Sequence, residues 1–172
     1  MTAGRNSGYN KTDWNTPQKY VNAVLDVFGE IDLDPCSNEG SIVPAFQKFI
    51  LPFYDGLEED WCYSRIYVNP PFGKGLKKTT IYDWLKKCYY EHNRGKRNII
   101  ALIPVATNTK HWKEFVFKAD VICFLSDTRL KFRVNRSEDN KGASMACAMV
   151  YWGNQPERFK QIFDEYGYCV RL

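Results

Sequence analysis

The sequence predicts a three-layer α/β fold, a mainly parallel sheet covered by helices with antiparallel strands added late in the chain. Three observations carry that prediction. Runs rich in β-branched residues alternate with stretches whose apolar residues recur at helical spacing. Residues 98–103 form an isoleucine-rich run of the kind expected of a strand covered on both faces by helices. Further strand-like segments then cluster between residues 120 and 152.

Each element has a local reason. Thr16-Pro17 precedes Tyr20, Val21, Val24, Leu25 and Phe28, which predicts a helix with Thr16 as N-cap, Pro17 at the first helical position and Gly29 as the stop. Ile31-Asp32-Leu33-Asp34 predicts a strand running into a turn at Pro35-Cys36-Ser37-Asn38. Residues 38–64 hold no sustained period, although 46–53 have room for a short strand and Asp55-Gly56 signals a turn. Arg65-Ile66-Tyr67-Val68 predicts the next strand, halted by Asn69-Pro70-Pro71-Phe72-Gly73 because paired prolines continue neither sheet nor helix. Thr80 can cap a helix whose Ile81, Trp84, Leu85, Cys88 and Tyr89 share one face and which Gly95 closes. After the strand at 98–103 comes a loop at 104–108, then a helix with Trp112, Phe115, Val116 and Ala119 on one face. Strands are predicted at 120–125, 129–134 and 144–152, and a short helix after Pro156.

The 172 residues are 44% hydrophobic, 16% aromatic and 26% charged, which favours a single globular domain and excludes disorder for most of the length. The longest near-apolar run, 99–106, contains Pro104 and falls far short of the ~20 residues that span a bilayer. Residues 1–13 are polar and do not resemble a secretory signal, so a flexible tail preceding one compact domain at 14–172, in the cytoplasm, is expected. Cysteines at 36, 62, 88, 123, 147 and 169 form no C-x-x-C pair, so free thiols are expected and a metal site is not. Residues 1–68 hold 5 Lys/Arg against 10 Asp/Glu, and residues 69–172 hold 19 against 10. That asymmetry suggests a basic face in the later half for a polyanion.

In an open α/β sheet, ligands bind beyond the carboxyl ends of the strands. Three loops meet that description: Asp34-Pro35-Cys36-Ser37, Asn69-Pro70-Pro71-Phe72 and Pro104-Val105-Ala106-Thr107. The second is the most informative. An exocyclic amine on a heteroaromatic ring is a poor nucleophile because its lone pair is delocalised. The Asn69 side-chain oxygen and the Pro70 carbonyl, each accepting one N–H bond, would let the nitrogen pyramidalise and attack an electrophile in line. Phe72 would stack on the ring. A base inside a duplex cannot reach such a loop, so this reading requires base flipping, with phosphates gripped on either side.

With these residues in view, the chain resembles the phage DNA N-6-adenine methyltransferases, amino-methyltransferases with a D/N-P-P-Y/F loop. The resemblance spans roughly residues 14–153. It rests on Trp14-Asn15-Thr16-Pro17, Leu33-Asp34-Pro35-Cys36, Asp55-Gly56-Leu57 with Trp61, and Val68-Asn69-Pro70-Pro71-Phe72, in that order. Pro104 with Thr107 and the run Arg129-Leu130-Lys131-Phe132 look like further family features. The resemblance implies a Rossmann-like methyltransferase fold, S-adenosylmethionine as methyl donor and the amine of adenine in DNA as acceptor. It makes Asn69, Pro70, Pro71 and Phe72 the catalytic loop. It assigns Thr16, Pro17, Asp34, Pro35, Cys36, Asp55 and Asn69 to the cofactor, Asp34 to its amino-acid end and Asp55 to its adenosine. A separate target-recognition domain is not expected, and the glycine-rich D-P-F-x-G-x-G turn of larger relatives is missing after Asp34.

Lys74, Lys77, Lys78, Arg129, Lys131, Arg133 and Arg136 are the candidate phosphate contacts. Pro35-Cys36 also matches the nucleophile pair of cytosine carbon-5 methyltransferases, yet the Glu-Asn-Val companion sequence is missing. His92 and His111 read as packed or surface side chains rather than bases. Two other functions share the same residues: methylation of RNA guanine or protein glutamine, and a catalytically silent nucleic-acid-binding module.

Overall fold

The computed structural model describes residues 14–73, 78–127, 129–134, 137–138 and 143–172. The expected tail at 1–13, together with Lys74, Lys77 and Arg136, lies outside the described residues. The elements run α1 (Gln18–Phe28), β1 (Ile31–Ser37), β2 (Ala45–Ile50), β3 (Arg65–Val68), α2 (Ile81–Gly95), β4 (Asn98–Pro104), α3 (Lys110–Glu114), β5 (Val121–Leu125), β6 (Arg133–Val134), β7 (Ser137–Glu138), β8 (Cys147–Trp152), α4 (Pro156–Phe163) and β9 (Gly167–Arg171).

Seven strands form one sheet in the order β2-β1-β3-β4-β8-β5-β9. The pairs β2/β1, β1/β3 and β3/β4 are parallel, whereas β4/β8, β8/β5 and β5/β9 are antiparallel. The sheet is therefore mixed rather than mainly parallel. β8 enters between β4 and β5, and β9, for which no strand is predicted above, adds an antiparallel edge.

Side-chain alternation along the strands builds two cores. Tyr67, Ile100, Leu102, Met149 and Tyr151 face α1 and α4, packing with Tyr20, Val24, Phe159 and Phe163. Ile66, Val68, Ile99, Ala101, Ile103, Val150 and Trp152 face α2 and α3, packing with Trp84, Leu85 and Trp112. Each such aliphatic side chain contributes about 1.5–3 kcal/mol by leaving water. Three layers result, as expected.

Local chemistry explains most element ends. The Asp83 carboxylate accepts the Thr80 amide at 2.8 Å and the Thr80 hydroxyl at 3.1 Å, fixing the start of α2. Gly29 ends α1 with φ 78°, a conformation that suits glycine. Three expectations need correction. Helix α1 begins at Gln18 with Pro17 as its cap residue, because the buried Thr16 hydroxyl bonds the Tyr67 hydroxyl at 2.7 Å instead of capping the helix. Strand β1 continues through Pro35 to Ser37, because a bulge absorbs the proline's missing N–H: Asp34 pairs with Lys48, but Ser37 pairs with Ile50. The strand expected at 129–134 shrinks to Arg133–Val134, outside the main sheet and paired with Ser137–Glu138. Its earlier residues bond elsewhere, Leu130 accepting the Ala143 amide at 2.7 Å.

Candidate active site

β1, β3 and β4 are adjacent and parallel, so the loops that follow them emerge on one edge of the sheet. There a cleft is lined by Thr16, Asp34, Cys36, Asn69, Pro70 and Pro71, all assigned to the site from sequence, and by Trp14, Asn15, Asn38 and Ser41, which were not assigned to it. The loop after β4 contributes less, since its Val105 and Ala106 pack against the core beneath α2 and α3.

Four segments far apart in sequence interlock at this cleft. The Asn69 side-chain amide donates to the Trp14 carbonyl at 2.8 Å. Because that carbonyl can only accept, it holds the Nδ2 end and leaves Oδ1 as the free end of the amide. The Cys36 thiol donates to the Asn69 carbonyl at 2.8 Å, joining the ends of β1 and β3. Gly56 sits directly on Pro35, where a β-carbon would come within 1.8 Å of the proline carbonyl oxygen, so only glycine permits the approach. The Gly56 carbonyl in turn accepts the Trp61 indole N–H at 2.7 Å.

Asp34 is a buried acid in this cleft. Its carboxylate is 3% exposed, and no described Lys or Arg reaches ion-pair distance of it. Burial pushes it up to about 6, against weaker opposing help from the Cys36 amide, Lys48 and Ser41. The Cys36 amide and Ser41 hydroxyl both donate to it at 3.3 Å. Burial also pushes the Cys36 thiol well above its ordinary value, which keeps it a thiol and unsuited to nucleophilic attack.

Two of the residues not assigned to the site from sequence line the cleft after Asp34, where larger relatives have a glycine-rich turn. Asn38 Oδ1 accepts the Gly40 amide at 2.8 Å, and Asn38 Nδ2 donates to Asn15 Oδ1 at 2.8 Å. An Asn two residues before a glycine is turn chemistry, and that was the available signal.

Other candidates lie around this centre. Phe72 packs edge-on against Trp14 at 6.2 Å and Phe132 at 5.4 Å, remaining half-buried beside the cleft. Pro17 lines a neighbouring depression with Lys19, Asp127, Arg129 and Lys131. Arg129 and Lys131 are exposed, Arg133 is half-buried, and Lys78 is exposed before α2. Asp55 accepts the Leu57 amide at 3.0 Å and lines a separate depression with Lys86, Lys87 and Tyr90, apart from Asp34 and Asn69. His92 Nδ1 lies 2.7 Å from the Arg97 carbonyl and His111 Nε2 lies 3.1 Å from the Thr109 hydroxyl, and neither histidine lines the cleft. All six cysteines are free. Among the described residues, no cluster of His, Cys, Asp and Glu is arranged to hold a metal, and no helix is long and apolar enough to cross a membrane.

The family model described as DNA N-6-adenine-methyltransferase (Dam) matches residues 6–165. Comparison with curated proteins gave no match.

Proposed function

Because the chain belongs to the DNA N-6-adenine-methyltransferase (Dam) family, a family of DNA adenine methyltransferases whose chemistry implies S-adenosylmethionine, we propose a division of labour among its residues. S-adenosylmethionine, when bound, supplies an electrophilic methyl group. Asp34 binds the ammonium of its amino-acid end, because a buried carboxylate without an ion-pair partner among the described residues gains most from a cationic ligand. Thr16 and Cys36 line the same cleft, Pro35 packs against Gly56 beside it, and Pro17 lies at the neighbouring depression. Asp55, at its separate depression, serves the adenosine end only if that end extends past the Gly56 turn.

Asn69 Oδ1 and the Pro70 carbonyl accept the two N–H bonds of the target adenine, raising electron density on its nitrogen for in-line attack. Pro70 and Pro71 support the second acceptor by fixing φ on either side of the Pro70 carbonyl. Phe72 stacks on the base. The cleft is a recess at the strand ends, so the adenine must leave its duplex to enter it. Arg129, Lys131 and Arg133, with Lys74, Lys77, Lys78 and Arg136, contact the phosphates that flank the flipped base. A single domain at 14–172 carries the residues assigned here.

The Trp14-oriented amide of Asn69, beside Asp34 in one cleft, carries this reading. The test is incubation with labelled S-adenosylmethionine and unmethylated DNA, digestion to nucleosides and identification of the product by mass. N6-methyladenine is expected, and Asn69→Ala should lower turnover by about 10²–10³-fold while leaving the fold intact. Near-normal turnover by that variant would overturn the two-acceptor mechanism. Label confined to RNA or protein would overturn the substrate, and no label on any of the three would favour a silent binding module.

A further inference from the structure

The segment 129–133 alternates. Leu130 and Phe132 are each 1% exposed, whereas Arg129 and Lys131, which precede each of them, face solvent. The inward Phe132 ring stacks on Trp14 with centroids 5.0 Å apart and planes at 17°. One residue further on, Asn15 and Arg133 exchange backbone hydrogen bonds of 3.0 and 2.8 Å. Trp14 is thus held through its ring and through the neighbouring peptide, and its carbonyl is the group that holds the Asn69 amide. Turning that amide over would set Oδ1 against the Trp14 oxygen, two acceptors with no proton between them. The orientation of Asn69 depends on where the Trp14 carbonyl stands.

We infer that Phe132 is a positioning residue for Asn69, acting through Trp14 and touching neither base nor methyl donor. The inference rests on the reading of Asn69 Oδ1 as an acceptor for the substrate amine. It assigns the two faces of one segment to different kinetic quantities. The outward Arg129 and Lys131 govern DNA affinity, and the inward Phe132 governs turnover. Removing the ring lets the Trp14 backbone drift, and a misplacement near 1 Å at a reacting group costs up to about 10²-fold in rate.

The experiment compares Phe132→Leu, Trp14→Ala and Trp14→Phe with the unaltered chain, measuring kcat at saturating DNA and S-adenosylmethionine, DNA Kd by anisotropy and donor Kd by calorimetry. Phe132→Leu is expected to lose about tenfold or more in kcat with both Kd values within about twofold. Trp14→Ala should show the same loss, and Trp14→Phe, which keeps a ring to stack on Phe132, should recover most of it. Unchanged kcat in Phe132→Leu would overturn the inference, as would a DNA Kd that rises in step with the lost turnover, since Phe132 would then act on DNA by holding Arg129 and Lys131 or by holding Phe72, which it meets edge-on at 5.4 Å. Should Phe132→Leu fail to fold, equal kcat in the two variants at the half-buried Trp14 would overturn it. Asn69→Ala separates the two ideas: if it is inactive while Phe132→Leu turns over normally, only the positioning role falls, whereas an active Asn69→Ala removes both.

Discussion

The thiol of Cys36 donates to the main-chain carbonyl of Asn69 at 2.8 Å, so the end of β1 and the start of the loop after β3 share one hydrogen bond. A cysteine held this way serves as a short donor, and burial raises its pKa away from the thiolate form. Cys36→Ser keeps a donor at the same place and should retain turnover within about tenfold, whereas Cys36→Ala should cost roughly 1 kcal/mol of stability. Complete loss of methyl transfer in a folded Cys36→Ser would instead mark a covalent nucleophile. Steady-state kinetics with DNA, alongside a urea melt, reads both quantities.

Asp34 sets stability against donor binding. Its pKa in the folded chain is raised to about 6 from 3.8 by burial, so between those values the folded state holds a proton that the unfolded state has released. Stability without donor should therefore fall as pH rises from about 4 to 6, by up to about 3 kcal/mol, with the full cost present above that window. Asp34→Asn should remove this slope and be more stable than the unaltered chain at pH 8, while its affinity for S-adenosylmethionine drops. Denaturant midpoints at pH 5 and 8, paired with calorimetric titration of the donor, test the two halves. An unchanged affinity in Asp34→Asn would exclude Asp34 as the ammonium partner.

Gly56 is the steric key between the Asp55-Gly56-Leu57 turn and β1. A methyl group there would stand 1.8 Å from the Pro35 carbonyl oxygen and 2.8 Å from its carbon, both backbone atoms with no rotamer to yield. Gly56→Ala should destabilise by about 1–3 kcal/mol or more and weaken donor binding by displacing the strand that carries Asp34. A melting temperature equal to that of the unaltered chain would show that the turn is free to move off β1.

How much of this could be read in advance depended on the range of the interaction. The halt of β3 at Asn69-Pro70-Pro71, the Thr80 start of α2 and the Gly29 stop of α1 are local, set by missing donors, a cap and a positive φ. So was the meeting of Asp34 with Asn69, since adjacent parallel strands bring their trailing loops together. What escaped was decided by distant partners. Thr16 bonds Tyr67 rather than its own helix. Pro35 stays in β1 only because a bulge against β2 accommodates it. β9 exists through its antiparallel pairing with β5, and the insertion of β8 between β4 and β5 makes two more of the sheet's six pairings antiparallel. Nothing within a few residues of these positions signals such partners.

Arg129 and Lys131 lie beside Lys19 and Asp127 in the depression next to the cleft. Asp127 accepts the Tyr20 hydroxyl and pairs with Lys19, each at 2.7 Å, so most of its charge is already engaged. Although burial opposes it, those two partners hold the Asp127 carboxyl below its usual range, which keeps it ionised and Lys19 anchored at neutral pH. The exposed Arg129 and Lys131 remain to meet phosphate. If each neutralises one phosphate of duplex DNA, replacing either with Gln should weaken binding about equally across sequences. It should also reduce the slope of log K against log salt by about 0.9, and the double variant by about twice that. Anisotropy titrations between about 50 and 200 mM salt measure the slope directly. An unchanged slope in the double variant would move the phosphate contacts away from the 129–133 segment, while kcat at saturating DNA should stay near normal throughout because neither side chain lines the cleft that holds Asn69.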